Sequence, residues 1–264
     1  MTVGIGIKCS DGIVLACDSL TTFGRGVPVL RYCNKVDVLR HDKLENEVTV
    51  ISAGMTTYFD KFRDRACRRV IEAAFKQDEQ KLDIVDFSQN VCEPIMTALL
   101  KEYAIDRAKF LGAPIVEFSL SLIIAGATHD NELRAYFVHT DGVSEPLEDY
   151  GTIGSGAAYA ELFLRFLLVE REINVVRAGE LAIYAIKGVE LMDPNVGGDV
   201  NVKLITLNDG KLNIADLPED NRPKEPMEKM EGVLQNISKG IEELVIGKEE
   251  KHARGKGSIR TESR

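Results

Sequence analysis

Three residues near the amino terminus have the side-chain types that nucleophilic chemistry needs: Thr2, Asp18 and Lys35. An initiator methionine is trimmed when the next residue is small, and Thr2 qualifies. Trimming leaves a primary amine beside a hydroxyl. That amine is unusual among protein bases in titrating near neutrality, so it can take the hydroxyl proton, directly or through water, and activate a weak nucleophile. A Met-Thr start marks nothing by itself, because many chains share it. The residues after it add the context. The run T-V-G-I-G-I-K-C reaches Ser10-Asp11-Gly12 and returns as G-I-V-L-A-C to Asp18. A hairpin brings a chain back to its starting end, so Asp18 can approach Thr2. Lys35 is the sole lysine between residues 8 and 42. Beside the nucleophile its charge would favour the deprotonated amine and hydroxyl, with Asp18 keeping it charged and oriented. Elsewhere it would be a solvated strand-edge lysine.

The elements that must position these residues follow from periodicity. Residues 2–9 and 12–17 read as strands around a hairpin turn. Strand-like residues recur from Val27 to Val38, and EVTVISAG (47–54) is a further strand that Ala53-Gly54 ends. Residues 56–77 carry Phe59, Phe62, Ala66, Val70 and Ala74 at helical spacing. A second helix is expected over 86–108, with Ser88 as a candidate cap and Val91, Ile95, Leu99 and Tyr103 on one face. Strands at 116–127 and 133–140 follow, turning at Asn131. After Gly142 the pattern predicts a loop and a glycine-rich turn, then helices over about 157–169 and 176–191. Strands at 199–207 and 211–214 meet through Asn208-Asp209-Gly210. Strands dominate the ends and helices come in pairs, which favours an α+β layered domain, two antiparallel sheets between helix pairs, over a βαβ alternation.

Composition narrows the classes. The chain has 264 residues, 44% of them hydrophobic and 28% charged, with net charge −9. That is ample for one core. No basic stripe points to nucleic acid and no Lys/Arg-rich amphipathic face to a membrane. The amino terminus lacks a charged n-region and an apolar h-region, and no run of about 18 apolar residues occurs, so a soluble cytoplasmic protein is expected. Cys9, Cys17, Cys33, Cys67 and Cys92 form no CxxC pair; Cys9 and Cys17 are expected to be small core residues. His41, His129, His139 and His252 are scattered, so no histidine metal site is expected. From Leu217 the composition shifts. A core domain over 1–215 is expected, then a 216–264 extension with a helix over about 228–247 (Val233, Ile237, Ile241, Leu244, Val245) and a charged tail expected to be disordered.

Six motifs in order resemble the proteasome β-subunit superfamily, which includes HslV and the bacterial Anbu proteins. They are the Thr2-to-Asp18 hairpin, DSLTTFGRG, CNKVDVL, SAGMTTYFDKF and GTIGSGAAYAELFL, and MDPNVGGDVNVKLIT closes the series. Together they cover roughly residues 2–214. The resemblance implies a four-layer αββα sandwich of the N-terminal-nucleophile hydrolase type. It implies that Thr2 is the nucleophile, Asp18 and Lys35 the supporting pair and Gly54 an oxyanion donor. Thr22 would line the substrate cleft, while Ser155 and Asp193 would support the amine. The implied activity is a threonine peptidase acting on peptides or unfolded proteins, with no cofactor or metal. Implied partners are further copies, in stacked rings of six or seven, and by analogy a gating ATPase.

Three features depart from the pattern or qualify it. Val196 stands where peptidase members carry serine, about one residue is inserted before Lys35, and the tail is longer. The absence of a propeptide before Thr2 is similar to HslV and Anbu, and the lack of an α-type extension argues against an α-subunit. A non-catalytic ring subunit and an acyl transferase or peptide ligase are the alternatives.

Overall fold

Alternation of side chains along two strands, Val48–Gly54 and Leu120–Ala127, sets the layers. The computed structural model describes residues 2–23, 29–76, 80–112, 118–168 and 172–223. Its strands are β1 Val3–Lys8, β2 Gly12–Asp18, β3 Leu20–Phe23, β4 Val29–Tyr32, β5 Val36–Leu39, β6 Val48–Gly54, β7 Leu120–Ala127, β8 Leu133–Val138, β9 Ser144–Pro146, β10 Tyr150–Gly154, β11 Val200–Asn208 and β12 Lys211–Asp216. Two five-stranded antiparallel sheets run in the orders β10-β1-β2-β11-β12 and β5-β6-β7-β8-β9, and β3 and β4 form a separate pair. On β6 and β7, Val48, Val50, Leu122 and Ile124 face a helical layer, packing with Phe62, Val70, Phe87 and Leu99. Their neighbours Ile51, Ala53, Ile123 and Ala125 point the other way and meet Ile13, Leu15 and Cys17 of the first sheet. Successive strand residues must face opposite sides, so this pattern places one sheet against helices and against the second sheet.

The helices complete the outer layers. α1 Thr56–Lys76 and a second helical run cover the β5–β9 sheet. That run joins α2 Ile84–Asp86, α3 Glu93–Leu100 and α4 Arg107–Leu111 through π-helical turns at Phe87–Cys92 and Lys101–Asp106. α5 Ala157–Leu167 and α6 Val175–Met192 cover the other sheet, α6 burying Ala178, Leu181, Ala182, Ala185, Ile186 and Val189. The result is the expected α+β sandwich of four layers.

Several expectations need correction. The helix expected over 86–108 starts at Ile84, and its cap is Asp83, whose carboxylate accepts from the Val85 and Asp86 amides while Asp86 receives the Asp83 amide. This is a capping box with acids at both positions. Ser88 lies inside the first π-helical turn with its hydroxyl buried. The loop after Gly142 contains two strands, β9 and β10, and DSLTTF contains β3. All three are short and lack a period-2 pattern; their ladder bonds come from β8, β1 and β4. Cys17 is buried as expected, but Cys9, just after β1, is only partly buried. The Asn208–Gly210 turn has the expected hairpin chemistry, with φ of 51° at Asp209 and 72° at Gly210. Among the described residues, no helix is long and apolar enough to cross a membrane. Met1–Pro223 forms one compact unit. The expected helix at 228–247 and the charged tail lie outside the described residues.

Candidate active site

The β1–β2 hairpin pairs Gly4 with Cys17, which brings Asp18 beside the first peptide of β1. Asp18 Oδ1 accepts the Val3 amide at 3.0 Å and the Lys35 ammonium at 2.8 Å, while Oδ2 accepts the Gly197 amide at 3.2 Å. Lys35 also donates to the Leu20 carbonyl. Asp18 is 0% exposed and Lys35 4% exposed, so this is a buried ion pair. Burial pushes the Asp18 carboxyl above its ordinary range; the Lys35 charge and the Val3 and Gly197 amides oppose that rise. A buried carboxylate survives only with such partners, and here all three donors converge on it. Burial likewise pushes the adjacent Cys17 thiol up to about 12, with Lys35 opposing, so Cys17 stays a neutral thiol beside the pair.

Thr2 is buried at the start of β1. Its nitrogen donates to Ser155 Oγ at 3.4 Å, and Ser155 Oγ donates to Asp193 Oδ2 at 3.3 Å. Its carbonyl accepts the Gly156 amide at 3.3 Å. Opposite Val3, Gly154 has φ of 96°, and a Cβ there would lie 2.0 Å from the Thr2 oxygen. Only glycine allows β10 to approach this closely. Asp193 ends α6, and its Oδ1 accepts from both the backbone and the side-chain nitrogen of Asn195 at 3.0 Å. Asn195 thus orients Asp193; its position directly after the Asp193-Pro194 dipeptide was the available signal.

Gly54 ends β6 just before α1, with φ of 127°, and a Cβ there would meet Ser119 O at 2.1 Å. The Ser52 amide donates to Lys35 O at 3.2 Å. Strand alternation turns the Gly54 N–H to that same side, past the start of β5. Thr22 sits on β3 opposite Leu30; its side chain lies outside the described residues. The structure therefore holds two hydrogen-bonded chains, Thr2–Ser155–Asp193 and Asp18–Lys35, that meet at the Thr2–Val3 peptide, with Gly54 on the flank where Lys35 enters. Val196 is buried and apolar, and it packs beneath the start of α5 near Gly156. Its side chain offers no hydrogen bond to either of those hydrogen-bonded chains; its amide donates to the Asp193 carbonyl at 3.0 Å.

One group of possible metal ligands, Asp83, Asp86 and His129, brings its ligand atoms within 4.8 Å of one another. The Asp83 carboxylate already accepts from the Val85, Asp86 and His129 amides, so helix capping accounts for the cluster.

Two solved structures resemble the chain in fold. An Anbu (Gly-1) mutant from Hyphomicrobium sp. strain MC1 matches with a TM-score of 0.67 at 13% identity, over 92% of this chain and 97% of that one. Anbu, described as an ancestral beta-subunit, from Yersinia bercovieri matches with a TM-score of 0.66 at 14% identity, over 90% and 96%. At such identity the likeness is one of fold. No curated protein matches the chain in sequence. The family model for the proteasome subunit, however, matches residues 2–205, a span that includes every candidate site residue. The chain belongs to the proteasome subunit family.

Proposed function

We propose that the chain is a threonine peptidase subunit that works through Thr2 once Met1 has been removed. The observation that carries this reading is the buried Lys35–Asp18 pair beside the first peptide of β1. Removal of Met1 turns the Thr2 nitrogen, 3.4 Å from Ser155 Oγ, into a primary amine. That amine takes the proton from Thr2 Oγ1, and the nearby ammonium stabilises the oxygen that results. The oxygen attacks the scissile carbonyl carbon, and the new oxyanion receives the Gly54 N–H at the head of α1. Collapse of the tetrahedral species breaks the C–N bond; the departing amine takes the proton back from the Thr2 ammonium and leaves an ester on Thr2. Water adds to the ester with the Thr2 amine as base and releases the acid. Every step uses groups of the chain, the substrate and water. An amine in place of that water would make the same ester a donor for ligation.

The expected substrates are peptides or unfolded proteins, and the expected assembly is a set of stacked homo-oligomeric rings in the cytoplasm. By analogy a gating ATPase partner would serve them. Residues Tyr159, Leu162 and Phe166 on α5 are 40%, 44% and 52% exposed at helical spacing, which supports a contact with another copy. Intact-mass measurement before and after a β-lactone probe tests the reading. Loss of Met1 and one covalent adduct are expected, and Thr2→Ala should abolish the adduct; unchanged labelling of Thr2→Ala refutes the assignment. The buried Val196, with no hydroxyl to offer, favours a second reading, a non-catalytic ring subunit. Met1 retained in the purified protein would select it.

A further inference from the structure

We propose that Lys187 is a positioning residue for the candidate site: tethered by Glu190, its ammonium pins the Gly197–Gly198 turn, and that turn backs the socket in which Lys35 sits. The proposal rests on the peptidase reading for its functional consequence and on geometry for its substance. Lys187 and Glu190 lie one turn apart on α6, with Nζ 2.7 Å from Glu190 Oε2. Taken alone, an i, i+3 pair on a helix contributes little. This ammonium has a second partner, however, the Gly198 carbonyl at 2.9 Å. Glu190 also abuts the turn: a Cβ on Gly197 would lie 2.9 Å from Glu190 Oε1. Gly198 has φ of 78°, so the turn depends on glycine.

The turn touches both of the groups that bind Lys35. Lys35 donates to Asp18 Oδ1 and to the Leu20 carbonyl. Gly197 donates its amide to Asp18 Oδ2 at 3.2 Å and accepts the Leu20 amide at 2.9 Å. One residue, Gly197, therefore fixes the distance between the two acceptors of the ammonium. The preceding residue, Val196, is buried and apolar and cannot anchor the turn by a side-chain hydrogen bond. Lys187 supplies the anchor from the helix behind. The titratable groups that face Asp18 are Lys35 and Cys17, and Cys33 faces Cys17 in turn; Glu190 faces Lys187, and the Tyr32 ring and Ser19 hydroxyl flank Gly198.

The test uses the full chain with Met1 removed. Lys187→Met keeps the length of the side chain and removes its donors; Lys187→Arg keeps them. In Lys187→Met the Gly197 amide loosens from the Asp18 carboxylate, so Asp18 holds its proton to higher pH and charge on the pair is lost on the acid side. Labelling of Thr2 by a β-lactone at pH 6 should fall about fivefold, with a change of less than about twofold at pH 8.5, as expected for weakening one hydrogen bond to a charged acceptor. Lys187→Arg should restore the wild-type profile. Titration of the Asp18 carboxyl, followed by 13C NMR, should move upward in Lys187→Met independently of activity. Glu190→Gln retains the contact with Gly197 and should give a smaller shift in the same direction, which serves if Lys187→Met fails to fold. An Asp18 titration unmoved in the folded variant overturns the inference, as does a lowered melting temperature with an unchanged pH profile. A shifted Asp18 titration in a protein that never labels supports the positioning role and rejects the peptidase reading instead.

Discussion

Replacing Lys35 by methionine isolates the buried pair. The substitution keeps the apolar stem and removes the charge, which leaves Asp18, 0% exposed, with the Val3 and Gly197 amides as its remaining partners. Breaking one side of a buried ion pair costs about 3–5 kcal/mol when the other charge must stay ionised. Asp18 has an escape, because it can take up a proton. Burial already raises its carboxyl, and Lys35 is the largest influence that lowers it. In the variant its folded pKa therefore lies well above the unfolded one. A carboxyl of that kind contributes stability that is present at low pH and lost as pH rises through the folded value, by about 1.4 kcal/mol per pH unit across the window. The deficit of Lys35→Met should be about 1 kcal/mol near pH 5 and approach about 3–5 kcal/mol by pH 8. The chain has no tryptophan, so urea unfolding followed by far-ultraviolet circular dichroism, at one fixed protein concentration, is the suitable assay. The double variant Lys35→Met with Asp18→Asn should lose the pH dependence. A deficit under about 1 kcal/mol that stays constant from pH 5 to pH 8 would refute the reasoning, because it would mean that the pair is solvated.

Other expectations follow from the same site. Gly154→Ala puts a Cβ 2.0 Å from the Thr2 oxygen at φ of 96°, so the start of β1 must move. It should cost more than about 3 kcal/mol and abolish labelling, whereas Gly112→Ala, at φ of 62° with open space around it, should cost about 1 kcal/mol and leave labelling intact; thermal melts with probe labelling distinguish the two. The rate of labelling in the wild-type chain should fall on the acid side at a pH above the ordinary aspartate range, because protonated Asp18 no longer holds Lys35; a limb in the ordinary range would contradict the burial effect. Asp83→Ala removes a carboxylate that accepts three amides and should destabilise the chain by about 1–2 kcal/mol in urea unfolding without altering labelling.

The legible parts of the chain were those governed by local rules. The DG hairpin turn, the alternation in EVTVISAG and the four-residue spacing from Val91 to Tyr103 all depend on near neighbours, and the elements formed where expected. β10 was illegible because Tyr150–Gly154 carries two glycines and no alternating pattern; it is a strand because β1 provides its ladder. The start of the second helix was misplaced because a serine is a familiar cap, while the Asp83–Asp86 pair does the same work with two acids. Within the candidate site, Asp18 was reachable by hairpin arithmetic and Lys35 by elimination. Asn195 and Lys187 were not, since each acts on a turn from a helix end or helix face, and such contacts have no fixed spacing.

β1 is an inner strand, bonded to β10 on one side and β2 on the other. Chain ends commonly fray, and a reactive group placed on one would spend much of its time out of register. Here both flanks of the first strand are stitched, so the threonine at its head inherits the rigidity of the sheet. Folding thus settles the orientational entropy of the nucleophile in advance, and a substrate need only find the cleft.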